Sequence, residues 1–229
     1  MRNVFTRTSN VVRFAEAMAR LQKRGKGIPG MALVYGEPGL GKTKTVLWFL
    51  AQTDAVFIRA KALMTGTWLL QEIVAELGEA PAGHSAKLFR QCTTLLMDRP
   101  RTIFIDEVDY LTSNSRVIET LRDIYDQTET PIVFVGMGHA ERSLMRFKHL
   151  YDRFSEVVRF ENFSKDDVKT IARDMCEVAL NDDAVDYIHE QGARFRSITR
   201  HLYTAEHIAR TNSLKEITRE HLAAARKSK

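Results

Sequence analysis

Gly36-Glu37-Pro38-Gly39-Leu40-Gly41-Lys42-Thr43 follows the pattern G-x-x-x-x-G-K-(S/T). Glycines at those places let successive backbone N–H groups turn toward one point, where a lysine adds positive charge and a hydroxyl follows at once. Such a set suits a chain of phosphates. Lys42 reaches the β and γ groups, Thr43 offers its hydroxyl to Mg²⁺, and the helix that continues through Lys44 aims its positive dipole end at the anion. The context agrees, since the apolar run Met31–Tyr35 precedes the glycines and a helical pattern, Lys44 to Gln52, follows them.

A second acidic signal lies further on, in Thr102-Ile-Phe-Ile-Asp-Glu-Val-Asp109. A mostly apolar strand delivers two adjacent carboxylates to its end, a Walker B arrangement that complements the phosphate loop. Asp106 is expected to hold Mg²⁺, through water, and Glu107 to polarise the water that attacks ATP. An acid placed for that task favours hydrolysis over nucleotide sensing. Asp109 suits a helix cap or a salt-bridge partner.

Positioning these groups requires a sheet. Five short apolar runs read as buried strands: Met31–Tyr35, Ala55–Arg59, Thr102–Asp106, Pro131–Gly136 and Glu156–Phe160. Between them lie amphipathic patterns at Thr67 to Leu77, roughly Ser85 to Met97, and Ser115 to Asp126, which predict a parallel five-stranded α/β sheet with helices on both faces. Ahead of the first strand, Ser9 or Asn10 caps a helix whose apolar positions run from Val11 to Leu21, ended by Gly25. After Phe160 the strand pattern stops. Ser164 with Asp167 opens a helix to about Leu180, followed by Asp182 to Glu190, Phe195 to about Thr211, and a last helix capped by Thr218. The expected organisation is a basic helical segment, 1–30, an α/β nucleotide-binding core, 31–162, and a small all-α lid, 163–229.

Bulk properties narrow the class. The chain has 229 residues, 44% hydrophobic and 28% charged, enough for one core and a small satellite. No apolar run is long enough for a signal peptide or a membrane span, so a cytoplasmic protein without membrane attachment is expected. Cys92 and Cys176 stand far apart, with no metal-binding spacing, and read as small hydrophobes. The net charge of +5 is uneven: residues 1–30 carry seven Lys/Arg against Glu16 alone, and 190–229 carry nine against four acids, leaving an acidic centre. Basic flanks suit a polyanion, or are solvated helix faces.

With both motifs, five strands and a helical tail in this order, the chain resembles the AAA+ superfamily of P-loop NTPases over nearly its whole length. The resemblance implies a helical lid and nucleotide bound between subunits. It also implies an arginine finger before the fifth strand, where Tyr151-Asp-Arg153-Phe-Ser makes Arg153 the candidate, against a surface arginine paired with Asp152 or Glu156. A sensor arginine on a lid helix is implied in Gly192-Ala-Arg-Phe-Arg196-Ser, where Arg196 fits best and Arg194 and Arg200 stay open. The fourth strand ends Gly136-Met-Gly-His139, a departure that leaves His139 in the place of the family's polar sensor.

Within that superfamily the chain resembles the DNA-transposition ATPases, the group of the phage Mu B protein and TnsC. The carrying segments are Asn10-Val-Val-Arg-Phe14, Tyr35 to Thr45 and the short lid. The Mu protein has an additional N-terminal helix-turn-helix domain, so this chain reads as a minimal version. The group implies an ATP-dependent homo-oligomer, ring or helical filament, that coats double-stranded DNA without strong sequence preference and presents it to a transposase. In the loop after the second strand Lys61 and Thr65 are the expected phosphate contacts, with Arg116 after Walker B a further one; Lys87 and Arg90 read as solvated helix residues, and Thr67 as a plain N-cap. A helicase-loader ATPase and an ATP-gated scaffold or secretion ATPase that does not bind DNA are the competing readings.

Overall fold

A computed structural model of the chain describes residues 1–227. In chain order the elements begin with helix α1 (Ser9–Gln22), strand β1 (Met31–Gly36), α2 (Lys42–Leu50), β2 (Val56–Arg59), α3 (Gly66–Glu76) and α4 (Ser85–Asp98). They continue with β3 (Ile103–Asp106), a 3₁₀ turn at Val108–Tyr110, α5 (Ser115–Thr128), β4 (Ile132–Gly136), the short α6 (Ala140–Leu144) and α7 (Lys148–Tyr151), and β5 (Phe154–Phe160). The remainder comprises α8 (Lys165–Met175), β6 (Ala179–Leu180), α9 (Asp182–Gln191), α10 (Phe195–Asn212), β7 (Glu216–Ile217) and α11 (Arg219–Lys227). Two compact units result. One holds Phe14–Pro38 and Lys42–Phe160; the other holds Met1–Arg13, Gly39–Gly41 and the chain from Glu161 onward.

The first unit is an all-parallel sheet in the order β2-β3-β4-β1-β5. Every residue of β3 and β4 is buried, which is why these strands read as unbroken apolar runs: a parallel strand covered on both faces has no solvent side to mark by alternation. One face packs Leu33, Ile58, Ile105 and Phe134 against Leu69 and Ile73 of α3, Leu88 and Leu96 of α4, and Val117 and Leu121 of α5. On the other, Phe14 of α1 meets Phe49 of α2 edge-on at 5.6 Å between centroids, and Phe49 lies 5.8 Å from Phe104 of β3. The five parallel strands and flanking helices are those anticipated, with ends shifted by one or two residues. Helices α6 and α7 were not anticipated, being too short to show a period.

The second unit has its own core, with Val168, Ile171, Ile188, Ile198 and Leu202 completely buried. The expected all-helical character is corrected in one place. Helix α8 stops at Met175 rather than near Leu180, and Ala179–Leu180 pairs in parallel with Glu216–Ile217. The chain turns extended already at Cys176, and it is extended again at Asn181, which caps α9 with its side chain accepting from Ala184 N. The start of α3 is also corrected, since Thr65, not Thr67, is the N-cap, accepting from Trp68 N at 3.2 Å. Gly66 is already helical, so Thr67 sits inside the first turn. Both cysteines are free and buried, and burial pushes the Cys92 thiol up to about 12, consistent with a small hydrophobe. Among the described residues no helix is long and apolar enough to cross a membrane.

Asp167 organises the entry to α8. It completes a capping box with Ser164, and its carboxylate also accepts from Ser9 N and Ser9 Oγ, both at 2.7 Å. Burial pushes its pKa up, but the bonds from Ser9 and Ser164 outweigh this and hold it below the usual carboxylate range. A depressed carboxylate stabilises above its unfolded value, about 4, and loses that contribution as pH falls through the lower folded value. Asp167→Ala is therefore expected to cost about 1–2 kcal/mol at pH 7 in urea unfolding. The difference from wild type should shrink when the titration is repeated near pH 3.

Candidate functional site

Strand β1 delivers the phosphate loop and α2 receives it. At Gly36 a Cβ would stand 2.5 Å from the carbonyl oxygen of Phe160, so only glycine lets β1 end this close to β5. Gly39 and Gly41 take φ of 82° and 89°, the left-handed region that glycine enters freely. Leu40 between them is buried, and Glu37 and Pro38 form the outer turn. Helix α2 begins at Lys42, two residues earlier than the sequence pattern indicated, so its first N–H groups belong to Lys42, Thr43 and Lys44. Lys42 Nζ donates to Gly36 O at 2.6 Å and to Glu37 O at 3.0 Å. Burial lowers its pKa, against the pull of Asp106, Asp109 and Glu37.

The two motifs meet at Asp106. Thr43 Oγ1 donates to Asp106 Oδ2 at 2.8 Å, and Glu107 N donates to Oδ1 at 2.9 Å. Asp106 is only 3% exposed. Arg59, its register partner across β2 and β3, lies 3.6 Å from the carboxylate, and Ala60 N donates to Asp106 O at 2.8 Å. Arg59 did not stand out in the sequence. Its place opposite Asp106 follows from strand register, which a residue pattern does not specify. Glu107 is in the left-handed region, φ 57° and ψ 39°, a conformation that costs a non-glycine residue about 1–2 kcal/mol. Strain of this kind persists where the surroundings dictate it, and here it turns the Glu107 side chain out of the strand's alternation.

The donor set fits a nucleotide with Mg²⁺. Among the described residues no group of three or more His, Cys, Asp or Glu could hold a metal ion. A hydroxyl and a carboxylate in contact, beside a phosphate loop, are what Mg²⁺ uses when phosphate oxygens and water complete its octahedron.

The other candidates are placed as follows. Asp109 is tied to the end of β4: its Oδ2 accepts from Met137 N at 2.7 Å, while its Oδ1, which accepts no hydrogen bond among the described residues, lies 3.2 Å from His139 Nε2. His139 precedes α6 and is largely exposed. Arg153 is held in a fork by Asp126 of α5, at 2.5 and 2.7 Å, and also donates to His149 O. Neither Asp152 nor Glu156 is its partner; Glu156 accepts instead from Arg20 at 2.8 Å. The Asp126 bonds raise the Arg153 pKa. Arg196 lies in the first turn of α10, where Phe195 N donates to Gly39 O at 2.8 Å. Lys61 is paired with Glu72 at 2.5 Å and lies 4.8 Å over the Trp68 ring, Thr65 caps α3, and Arg116 is exposed in the first turn of α5.

The AAA domain family matches residues 27–144, just over half of the sequence, and the chain belongs to this family of P-loop ATPases. A potential ATP-binding protein of Staphylococcus aureus is 28% identical over 166 residues, covering 68% of this chain and 58% of that protein. Proteasome-activating nucleotidase 1 of Haloferax volcanii is 31% identical over 128 residues, 55% of this chain and 29% of the relative. Among solved structures, the Aeropyrum pernix ORC2 protein in ADPNP–ADP complexes aligns with a TM-score of 0.72 and 15% identity, covering 98% of this chain and 69% of that one. The ORC1 protein of the same organism in complex with DNA gives 0.64 and 18%, over 99% and 66%. The Thermotoga maritima RuvB Holliday junction branch migration motor gives 0.63 and 18%, over 98% and 70%. At such identities the likeness establishes the fold alone. The chain spans 58% of the first of these sequence relatives and 66% of the ORC1 chain.

The left-handed backbone at Glu107 makes a stability prediction that is independent of activity. Glu107→Gly should unfold at higher urea than Glu107→Ala, by about 1 kcal/mol, because only glycine escapes the Cβ clash at positive φ. At an ordinary helical or strand position the order is the reverse.

Proposed function

We propose that this chain binds ATP with Mg²⁺, hydrolyses it, and in its ATP-bound, oligomeric form holds duplex DNA without sequence preference. The observation that carries the hydrolytic reading is the contact of Thr43 with a buried Asp106 whose neighbour Glu107 is turned aside in the left-handed region. In this reading the loop N–H groups and Lys42 bind the phosphates, exchanging the lysine's bonds to Gly36 O and Glu37 O for phosphate oxygens. Thr43 and Asp106 hold the metal. Mg²⁺, when bound, neutralises charge on the β and γ oxygens. Glu107 orients the attacking water and accepts its proton, and Arg153 serves the nucleotide of a neighbouring copy as a finger. Arg196 and His139 act as phosphate-sensing groups.

Support for DNA as partner comes from the basic flanks of the sequence and from fold neighbours, one solved with DNA and another a Holliday junction motor. Phosphate-directed contacts from Lys61, Thr65 and Arg116 give affinity without base reading. The finer role, a target-selecting regulator that presents DNA to a transposase, rests on the resemblance of the phosphate-loop and N-terminal segments to the transposition ATPases.

Lys42→Ala is expected to abolish nucleotide binding, and Glu107→Gln to retain binding while slowing turnover roughly 10²–10⁴-fold. Undiminished turnover in Glu107→Gln removes the catalytic assignment. Arg153→Ala should bind ATP yet lose about 10³-fold in hydrolysis, and mixing it with Lys42→Ala subunits should restore part of the activity. No rescue, with both variants assembling normally, excludes a finger acting between copies. Fluorescence anisotropy with labelled duplexes and a non-hydrolysable ATP analogue tests the DNA reading: binding should ignore sequence and weaken steeply with salt. ATP-dependent assembly with no DNA binding supports the scaffold reading instead.

A further inference from the structure

Helices α3, α4 and α5 of the α/β unit leave a groove lined by Thr67, Ser85, Arg90, Asn114, Arg116 and Thr120. None of its described lining residues is acidic. Neither Arg90 nor Arg116 has a hydrogen bond or ion pair from its guanidinium among the described residues, and the side chains of Thr67, Ser85 and Asn114 are likewise unengaged. Elsewhere in this unit Arg59, Arg99, Arg101, Arg122 and Arg153 each face a carboxylate. Arg24, Arg142, Arg146 and Arg159 of this unit likewise face no carboxylate among the described residues. Of these unpaired arginines, however, only Arg90 and Arg116 line the groove, and they arise in the acidic middle of the sequence rather than in its basic flanks. An arginine with no acid beside it, set in a concavity, concentrates positive potential there.

The backbone adds to this field. Helices α4 and α5 start at His84 and Asn114, neither of which makes a side-chain cap, so first-turn N–H groups at both ends remain open to an anion. Guanidinium forks, hydroxyls and helix N-termini are the groups that contact phosphate oxygens, and none of them reads a base. The lining arginines, Thr67 and Ser85 are exposed, so the groove admits a polymer as readily as a small ion. Lys61, by contrast, is engaged by Glu72 and stacked on Trp68.

We propose that Arg90 and Arg116 grip the phosphodiester backbone of duplex DNA in this groove. The inference rests on the duplex-binding reading above and gives it a location. The test is a salt series of anisotropy titrations with the full chain, a non-hydrolysable ATP analogue and labelled duplex. Wild type is compared with Arg90→Gln/Arg116→Gln and with a charge-matched control, Arg142→Gln/Arg173→Gln. The groove variant should keep its thermal midpoint and ATP binding, lose roughly tenfold or more in affinity near 0.1 M salt, and lower the log–log salt slope by about 2 per bound subunit, one per phosphate contact. The control should match wild type. Wild-type-like binding by the groove variant, or an equal loss in the control, overturns the groove while leaving the duplex reading intact. Absence of duplex binding by wild type overturns both. Tighter binding of a single strand or of RNA than of duplex overturns the choice of duplex.

Discussion

A buried carboxylate has to be satisfied, and Asp106 is the point on which the site is built. An isolated charge at that depth costs several kcal/mol, so its partners are structural necessities. The hydroxyl of Thr43, the N–H of Glu107 and the guanidinium of Arg59 supply them, and each comes from a different segment of chain. To bring the three together the sheet must run β2-β3-β4-β1, with the phosphate loop and the acidic pair both at carboxyl ends of parallel strands. The close pairing of β1 with β5 at Gly36 fixes where that loop departs.

This arrangement ties the nucleotide groups to the loop that follows β2. Arg59 and Ala60 both engage Asp106, one through the side chain and one through the main chain, and six residues later Gly66 opens α3. The start of that loop is thus in direct contact with Asp106, and its far end opens the helix that borders the groove between α3, α4 and α5. The strained Glu107 belongs to the same logic. Its left-handed backbone ends β3 abruptly, returns its own N–H to Asp106, and lets the chain enter the 3₁₀ turn that carries Asp109 to the end of β4.

Charge on this molecule is better understood by partner than by count. The basic flanks are conspicuous in the sequence, yet several of their arginines are engaged: Arg13 by Glu161, Arg20 by Glu156, Arg210 by Glu177 and Arg219 by Glu190. Exposed pairs of this kind contribute little stability, but they do reduce the charge presented to a polyanion. Arg90 and Arg116 lie in an acidic stretch of sequence and, among the described residues, meet no acid in space. Local packing, not net charge, decides which positive groups are available.

The sequence by itself determined the sheet, its strands and both nucleotide motifs, because glycine conformational freedom, apolar runs and an acidic pair at a strand end are local signals. It also placed the capping box at Ser164 and Asp167, another local pattern. Tertiary structure alone decided what depends on register and on distant partners. Arg59 opposite Asp106, Asp126 holding Arg153, and Asp109 accepting from Met137 are pairings between elements, invisible to spacing along one chain. The parallel pairing of Ala179–Leu180 with Glu216–Ile217 likewise joins segments far apart in sequence, and the cap at Thr65 is identified only by where the helix begins in space. Local chemistry names the groups a chain carries, whereas only the fold assigns each charge and each N–H its partner.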